Sequence, residues 1–389
     1  MRLRSRDSRL ISTAPYDAFT TCRTPVVVQC ASGVAHRTWP DAFAIALAVV
    51  VTLPACSDAV PRELLPAVDS AALLVPARVE ELFVARADSQ SDLSGLASWA
   101  VDGSQQWLLT TAPASNSIQV RRESDGSLVS EYRRTGRGAG ALREPVSLAV
   151  VDSFAFVVER GNHRVQAFRL PGFESAGSFG AEELIAPQWI AMVQQGDAID
   201  LYVSDREDAG VEGAPPGALI RLFRVTRLGD RFQAGLMRSF GTDAGLGDVA
   251  AIAIDSVHDR VLVADRNVGV VAFSLAGDAV GMSIPANVFA GAPTALALHR
   301  CGRDAGHWLV TDTAHSFHVF DRATLVPATR FWGRTLSPTA DILVIPGAQP
   351  DGSILISIHA RHSIGALAWS AIADSIPALR SCEAGLPAV

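Results

Sequence analysis

Apolar positions in this chain come in short runs, broken by clusters of glycine, aspartate, asparagine and proline. The stretch VLVADRNVGVVAF (261–273) is typical: Val261–Val263 are apolar, Asp265, Arg266 and Asn267 form a polar knot, and Val268–Phe273 are mostly apolar again. Runs of Val, Ile, Leu and Phe bounded by turn-forming residues read as β-strands. The same strand–knot–strand order recurs in VSLAVVDSFAFVVERGNHRVQAF (146–168) and in WIAMVQQGDAIDLYVSDRED (189–208), which continues in ALIRLFRV (218–225). It returns in VAAIAIDSVHDRVLVADRNVGVVAF (249–273), TALALHRCGRDAGHWLVTDTAHSFHVF (294–320) and ADILVIPGAQPDGSILISIHARHSIGALAW (340–369). SGLASWAVDGSQQWLLTTAPASNSIQV (94–120) is a looser first copy.

The units start at Ser94, Val146, Trp189, Val249, Thr294 and Ala340, at spacings of 52, 43, 60, 45 and 46 residues. A period near 40–50 residues with about four short strands per unit marks a β-propeller. No unit of this size buries its sheet alone, so neighbours must pack face to face around an axis. The pattern predicts an all-β chain with one six-bladed β-propeller over residues 88–376 and a tail at 377–389.

In such a ring the loops between second and third strands share one face with the linkers between blades. VERGN, SDRED, ADRN and TDTAH are therefore predicted to surround one mouth of the axis, with Glu159, Asp205, Asp265 and Asp312 in equivalent places. Those four carboxylates are candidate ligands for Ca²⁺, a hard ion that takes oxygen donors. Arg160, Arg206 and Arg266 beside them are candidates for binding phosphate or carboxylate groups. Turn chemistry accounts for the same pattern more simply, because Asp and Asn bond nearby backbone N–H groups. The adjacent arginines also offset the charge that a cation needs.

The 389 residues carry a formal net charge of −7, which gives no electrostatic case for nucleic acid, whose binding needs a basic face or stripe. Ahead of the repeats, HRTWPDAFAIALAVVVTLPACSD has a basic start, an apolar run from Ala42 to Leu53, and then Leu53-Pro54-Ala55-Cys56. That order is expected of an export signal at 34–55. Its ending resembles the lipobox of bacterial lipoproteins, in which the cysteine, here Cys56, is lipidated. An exported chain, anchored by lipid in the bacterial cell envelope at the outer membrane or periplasmic face, is the expectation. Residues 56–87 then read as a tether, and 1–33 as an extension upstream of a translation start near Val34, which N-terminal sequencing would test.

Cys301 and Cys382 are the remaining cysteines outside the leader and form a candidate disulfide. His299, His307, His315, His318, His359 and His362 gather in the last two repeats without a recognisable metal motif. There is no Gly-x-Ser-x-Gly elbow and no phosphate-binding P-loop, and GRGAGALRE (136–144) reads as an interblade loop.

Taken together, the repeats over 94–376 resemble the β-propeller phytases, six-bladed Ca²⁺-dependent phosphatases acting on inositol hexakisphosphate. The resemblance is carried by LMRSFGTDAGLGDVAAIAIDSVHDRVLVADRNVGVVAFSLAGD (236–278) and by TADILVIPGAQPDGSILISIHARHSIGALAWSAIADSI (339–376). The family's functional positions are mostly unmatched. Its paired aspartates become Ser94 and Gly95 before Trp99, and a basic position falls in Ala112-Pro113-Ala114. The glutamate of a Glu-Gly turn falls at Ala250, a further one near Thr294, and a final Gln-Asp at His359-Ala360. Arg160 matches a basic position, Asp265 keeps the first acid of a pair whose second is Arg266, and Asp341 is the one acid left in Ala340–Leu343.

The resemblance thus implies the fold more than the activity, since metal-assisted phosphate chemistry needs several carboxylates to hold the ions. The expectation is a phytase-like propeller that binds a small molecule or protein at its mouth and requires no cofactor. One alternative is a divergent calcium-dependent phosphomonoester hydrolase with Asp205, Asp265 and Asp312 on the metal and Arg160 or Arg206 on phosphate. Another is a generic NHL-type interaction propeller.

Overall fold

The computed structural model describes residues 77–86, 92–101, 105–206, 217–347, 352–360 and 362–379. The leader, Cys56 and Cys382 lie outside them. Two strands open the described chain, β1 (Ala77–Val79) and β2 (Phe83–Arg86). The first full sheet is β3 (Leu96–Ala100), β4 (Gln106–Ala112), β5 (Ser117–Arg122) and β6 (Leu128–Arg133). The second is β7 (Pro145–Val151), β8 (Phe154–Glu159), β9 (Arg164–Arg169) and β10 (Glu174–Phe179). The third is longer: β11 (Ile190–Gln195), β12 (Ala198–Arg206), β13 (Ala218–Leu228) and β14 (Arg231–Phe240). The fourth is β15 (Val249–Asp255), β16 (Arg260–Asp265), β17 (Gly269–Phe273) and β18 (Ala279–Pro285).

The fifth comprises β19 (Pro293–Arg300), β20 (Gly306–Asp312), β21 (Phe317–Asp321) and β22 (Pro327–Gly333), with β1 added parallel to β22 at its edge. The sixth takes β23 (Pro338–Ile345), β24 (Ile354–His359) and β25 (Ser363–Ala368) from the end of the chain and β2 from its beginning. A short helix, α1 (Trp369–Ser375), follows. This is a six-bladed β-propeller. Its first strands begin at Leu96, Pro145, Ile190, Val249, Pro293 and Pro338, beside the predicted unit starts.

The apolar runs follow from burial on both faces of each blade. Along β16, Val261 and Val263 join a core shared with the third blade, while Leu262 and Ala264 join one shared with the fifth. Successive side chains of a strand point to opposite faces, so a blade between two neighbours needs apolar residues at every position. Six separate hydrophobic cores result, each spanning two successive blades, and the sixth joins Ile356 and Ile358 to Leu96 and Leu108.

One expectation is corrected. Residues 77–86, read from sequence as the end of a tether, are strands, and the propeller begins with them. In β2, Phe83 and Ala85 are half-buried while Val84 and Arg86 face solvent, the alternation of an outer strand. Its register pairs Phe83 with Ala366 and Arg86 with Ser363, so the sixth blade closes with both ends of the propeller.

Candidate functional site

Glu159, Asp205, Asp265 and Asp312 stand at or next to the ends of the second strands of the second to fifth blades, and each is buried. Asp265 shows what they do. Its Oδ2 accepts the backbone N–H of Gly247 at 2.8 Å and of Asp248 at 2.7 Å, both in the linker entering β15. Its Oδ1 accepts those of Asn267 at 2.8 Å and Val268 at 3.2 Å, in its own turn. The carboxylate therefore pins the linker to the second strand of the same blade. Gly269 completes the knot at φ +100°, where an added Cβ would lie 2.1 Å from the Ile284 carbonyl oxygen, so only glycine serves.

The other acids repeat the arrangement. Asp205 accepts from Ile185 N, from Ala186 N at 2.7 Å and from Arg221 Nε at 3.0 Å. Glu159 accepts from Arg143 N at 3.0 Å, Asn162 Nδ2 at 2.6 Å, Arg164 Nε at 2.7 Å and Gln166 Nε2 at 2.9 Å. Asp312 accepts from Ala290 N and Gly291 N, both at 3.1 Å, and from Ser316 N at 3.0 Å.

Two blades vary the device in ways not read from the sequence. In the sixth, His359 stands at the corresponding place and its Nδ1 accepts Ser337 N at 2.5 Å. In the first, that place is Ala112, and the preceding Thr111 takes over: its Oγ1 accepts Gly95 N at 2.8 Å and donates to Val146 O at 3.1 Å.

Asp312 is also part of a buried Ser–His–Asp constellation. Ser316 Oγ and His318 Nε2 lie 2.9 Å apart, and the same Nε2 lies 2.9 Å from Asp312 Oδ2. In a catalytic triad the acid and the serine engage different ring nitrogens, so that one orients the base while the other activates the nucleophile. Here one nitrogen serves both, Ser316 Oγ donates to Asp312 Oδ1 at 2.9 Å, and all three residues are buried. Burial pushes the Asp312 carboxyl up, but bonds from His318 and from the Ser316 N–H and hydroxyl outweigh it and hold the group at about 2. The constellation is a structural knot.

The arginines singled out from sequence are dispersed. Arg160 pairs with Glu144, Nε to Oε1 at 2.9 Å. Arg266 pairs with Asp248 at 2.9 Å, and Arg206 is exposed at the end of β12. Nor do the four acids gather around a common point. Among the described residues, His299, Cys301 and His307 are the group whose candidate ligand atoms lie within 4.8 Å of one another. Cys301 is disulfide-bonded, so its sulfur is not the thiolate a metal would take. Trp369 stacks on His299 with ring centroids 3.5 Å apart.

The first strands surround a central channel of about 290 Å³, lined by apolar residues such as Leu148, Ile252 and Leu298, and by Asp341. Asp341 Oδ2 accepts Leu96 N at 2.8 Å and Oδ1 accepts Ile342 N at 2.9 Å, tying the last blade to the first. Burial pushes this carboxyl up to about 7, against the two N–H bonds that favour its charged form.

Fold and site together define a six-bladed β-propeller whose mouth acids fasten blades to linkers. No family model and no curated protein matches the chain. Among solved structures, a chain of a nidogen/laminin complex shares 14% identity at a TM-score of 0.48, over 65% of this chain and 85% of that one. The computationally designed Ika8 protein shares 12% identity at a TM-score of 0.42, over 74% and 99%. At these values neither likeness carries an argument about function, and the fold assignment stands on the strand order itself.

Proposed function

We propose that this propeller is a binding module rather than a phosphatase, held at the bacterial cell envelope by a lipid on Cys56. The observation that carries the first part is the occupancy of the mouth carboxylates. Glu159, Asp205, Asp265 and Asp312 each accept at least three hydrogen bonds from backbone or side-chain donors. Lone pairs that a calcium ion would need hold linkers here, and donor N–H groups aimed at those oxygens repel a cation. The phytase resemblance supports a shared architecture and leaves a mouth that takes a small molecule or protein without calcium chemistry.

The test is phosphate release from inositol hexakisphosphate at millimolar Ca²⁺. No release is expected, and no Ca²⁺-dependent rise in melting temperature, which binding to the folded state alone would produce. Ca²⁺-dependent release that Asp265→Ala abolishes would establish the hydrolase instead. The anchor rests on the leader's order of basic, apolar and Leu-Pro-Ala-Cys segments. In bacteria fed a labelled fatty acid, Cys56→Ala is expected to lose the label and leave the membrane fraction; retention of both would overturn it.

A further inference from the structure

The channel on the propeller axis, of about 290 Å³, lies at the lower end of the size range of small-molecule sites. Its walls come from the first strands of all six blades and are mostly apolar. Among the described residues that line it, Asp341 is the one titratable group and Trp189 the one aromatic.

Register places these two residues at the same level on opposite sides. Ile342 pairs with Ser357, two residues before His359, and Ile190 pairs with Val203, two before Asp205. Asp341 and Trp189 each stand one residue ahead of those positions, in the sixth and third blades, which lie across the ring from each other. At this level the other four blades carry Gly95, Ser147, Ala251 and Ala295, none larger than serine.

Asp341 has no partner of opposite charge. Each of its oxygens accepts one N–H, from Leu96 or from Ile342, which leaves about two of a carboxylate's roughly four lone-pair sites open. The residue is half-buried and lines the channel, so it borders that space and is not sealed behind the wall. A desolvated carboxylate is costly until a cation pairs with it, and burial accordingly pushes this group up to about 7. No charged side chain of β3, β7, β11, β15 or β19 is among the described residues lining the channel to supply that cation. A divalent metal does not fit, because it takes about six or more oxygens and the side-chain oxygens of the wall belong to Asp341, Ser98 and Ser147. An organic ammonium asks for less: one carboxylate, an aromatic face and an apolar sleeve.

We propose that the channel binds a primary alkylammonium ion, its charged head between Asp341 and Trp189 and its chain along the apolar first strands. The inference is independent of what the mouth binds.

The test titrates the chain calorimetrically with n-hexylamine, which is protonated at every pH used. Saturable binding at one site per chain is expected, at least about tenfold tighter than that of 1-hexanol, its neutral counterpart. Asp341→Asn is expected to bring the amine down to the affinity of the alcohol. Trp189→Leu is expected to weaken the amine several-fold and to leave the alcohol nearly unchanged. Wild-type protein supplies a readout that needs no variant, because pairing with the ammonium drives the proton off Asp341. In buffers of different ionisation enthalpy, close to one proton is expected to leave per amine bound at about pH 6, and nearly none at about pH 8. Binding that does not saturate, alcohol that binds as well as amine, or proton release equal at both pH values overturns the site. Equal effects of Trp189→Leu on both ligands overturn the place of Trp189 in it.

Discussion

Two carboxyls, Asp312 and Asp341, are shifted in opposite directions, the one with more donors downward. Asp312, with donors from a histidine and a serine, is held at about 2. Its contribution to stability is present above the unfolded value near 3.9 and is lost as pH falls toward 2. Asp341 accepts two N–H groups at the channel wall and is pushed up to about 7. The folded chain then keeps a proton that the unfolded chain releases, so this group's contribution is full below about pH 4 and disappears as pH rises through 7. Asp341→Asn removes the titration. The stability of the variant relative to wild type is expected to rise by about 2–4 kcal/mol between about pH 4 and pH 7.5, read from denaturant midpoints. A difference that stays constant with pH would show that Asp341 titrates as an ordinary carboxyl.

At the scale of elements, β2 decides whether the sixth blade is complete. A chain beginning at residue 88 would leave β25 with an open edge and remove Val79, which is buried in the core between the fifth and sixth blades. Its melting temperature is expected to fall by roughly 5–8 °C, as a loss of about 3–5 kcal/mol produces in a propeller of roughly 300 residues. A peptide of residues 77–86 is expected to restore part of it; unchanged melting of the truncated chain would contradict the closure. Strands such as β16 were legible in the sequence because burial on both faces writes an unbroken apolar run. ARVEELFVAR (77–86) was not, because three- and four-residue outer strands mix charge with apolar residues and their partners lie at the far end of the chain. The acids could be placed at the mouth from their position in the repeat, yet their role depends on linker N–H groups that carry no side-chain signature.

The whole propeller is a cycle of six interblade cores, so no blade is peripheral and each is supported from two sides. Mouth staples act within single blades, whereas Thr111 and Asp341 bond across to a neighbour, and both lie in the blades flanking the closure or at it. Because Arg86 pairs with Ser363, β2, the second described strand to leave a ribosome, waits for the last one, β25. At about 5–20 residues per second, the intervening roughly 280 residues take about 14–56 s to synthesise. For that interval the nascent chain carries a strand with no partner, and β-edges in that condition recruit whatever strand is near. The brevity of β2 and the charge on Arg86 limit what it can recruit, so the weakness of this strand as an isolated segment protects the chain until the ring can close.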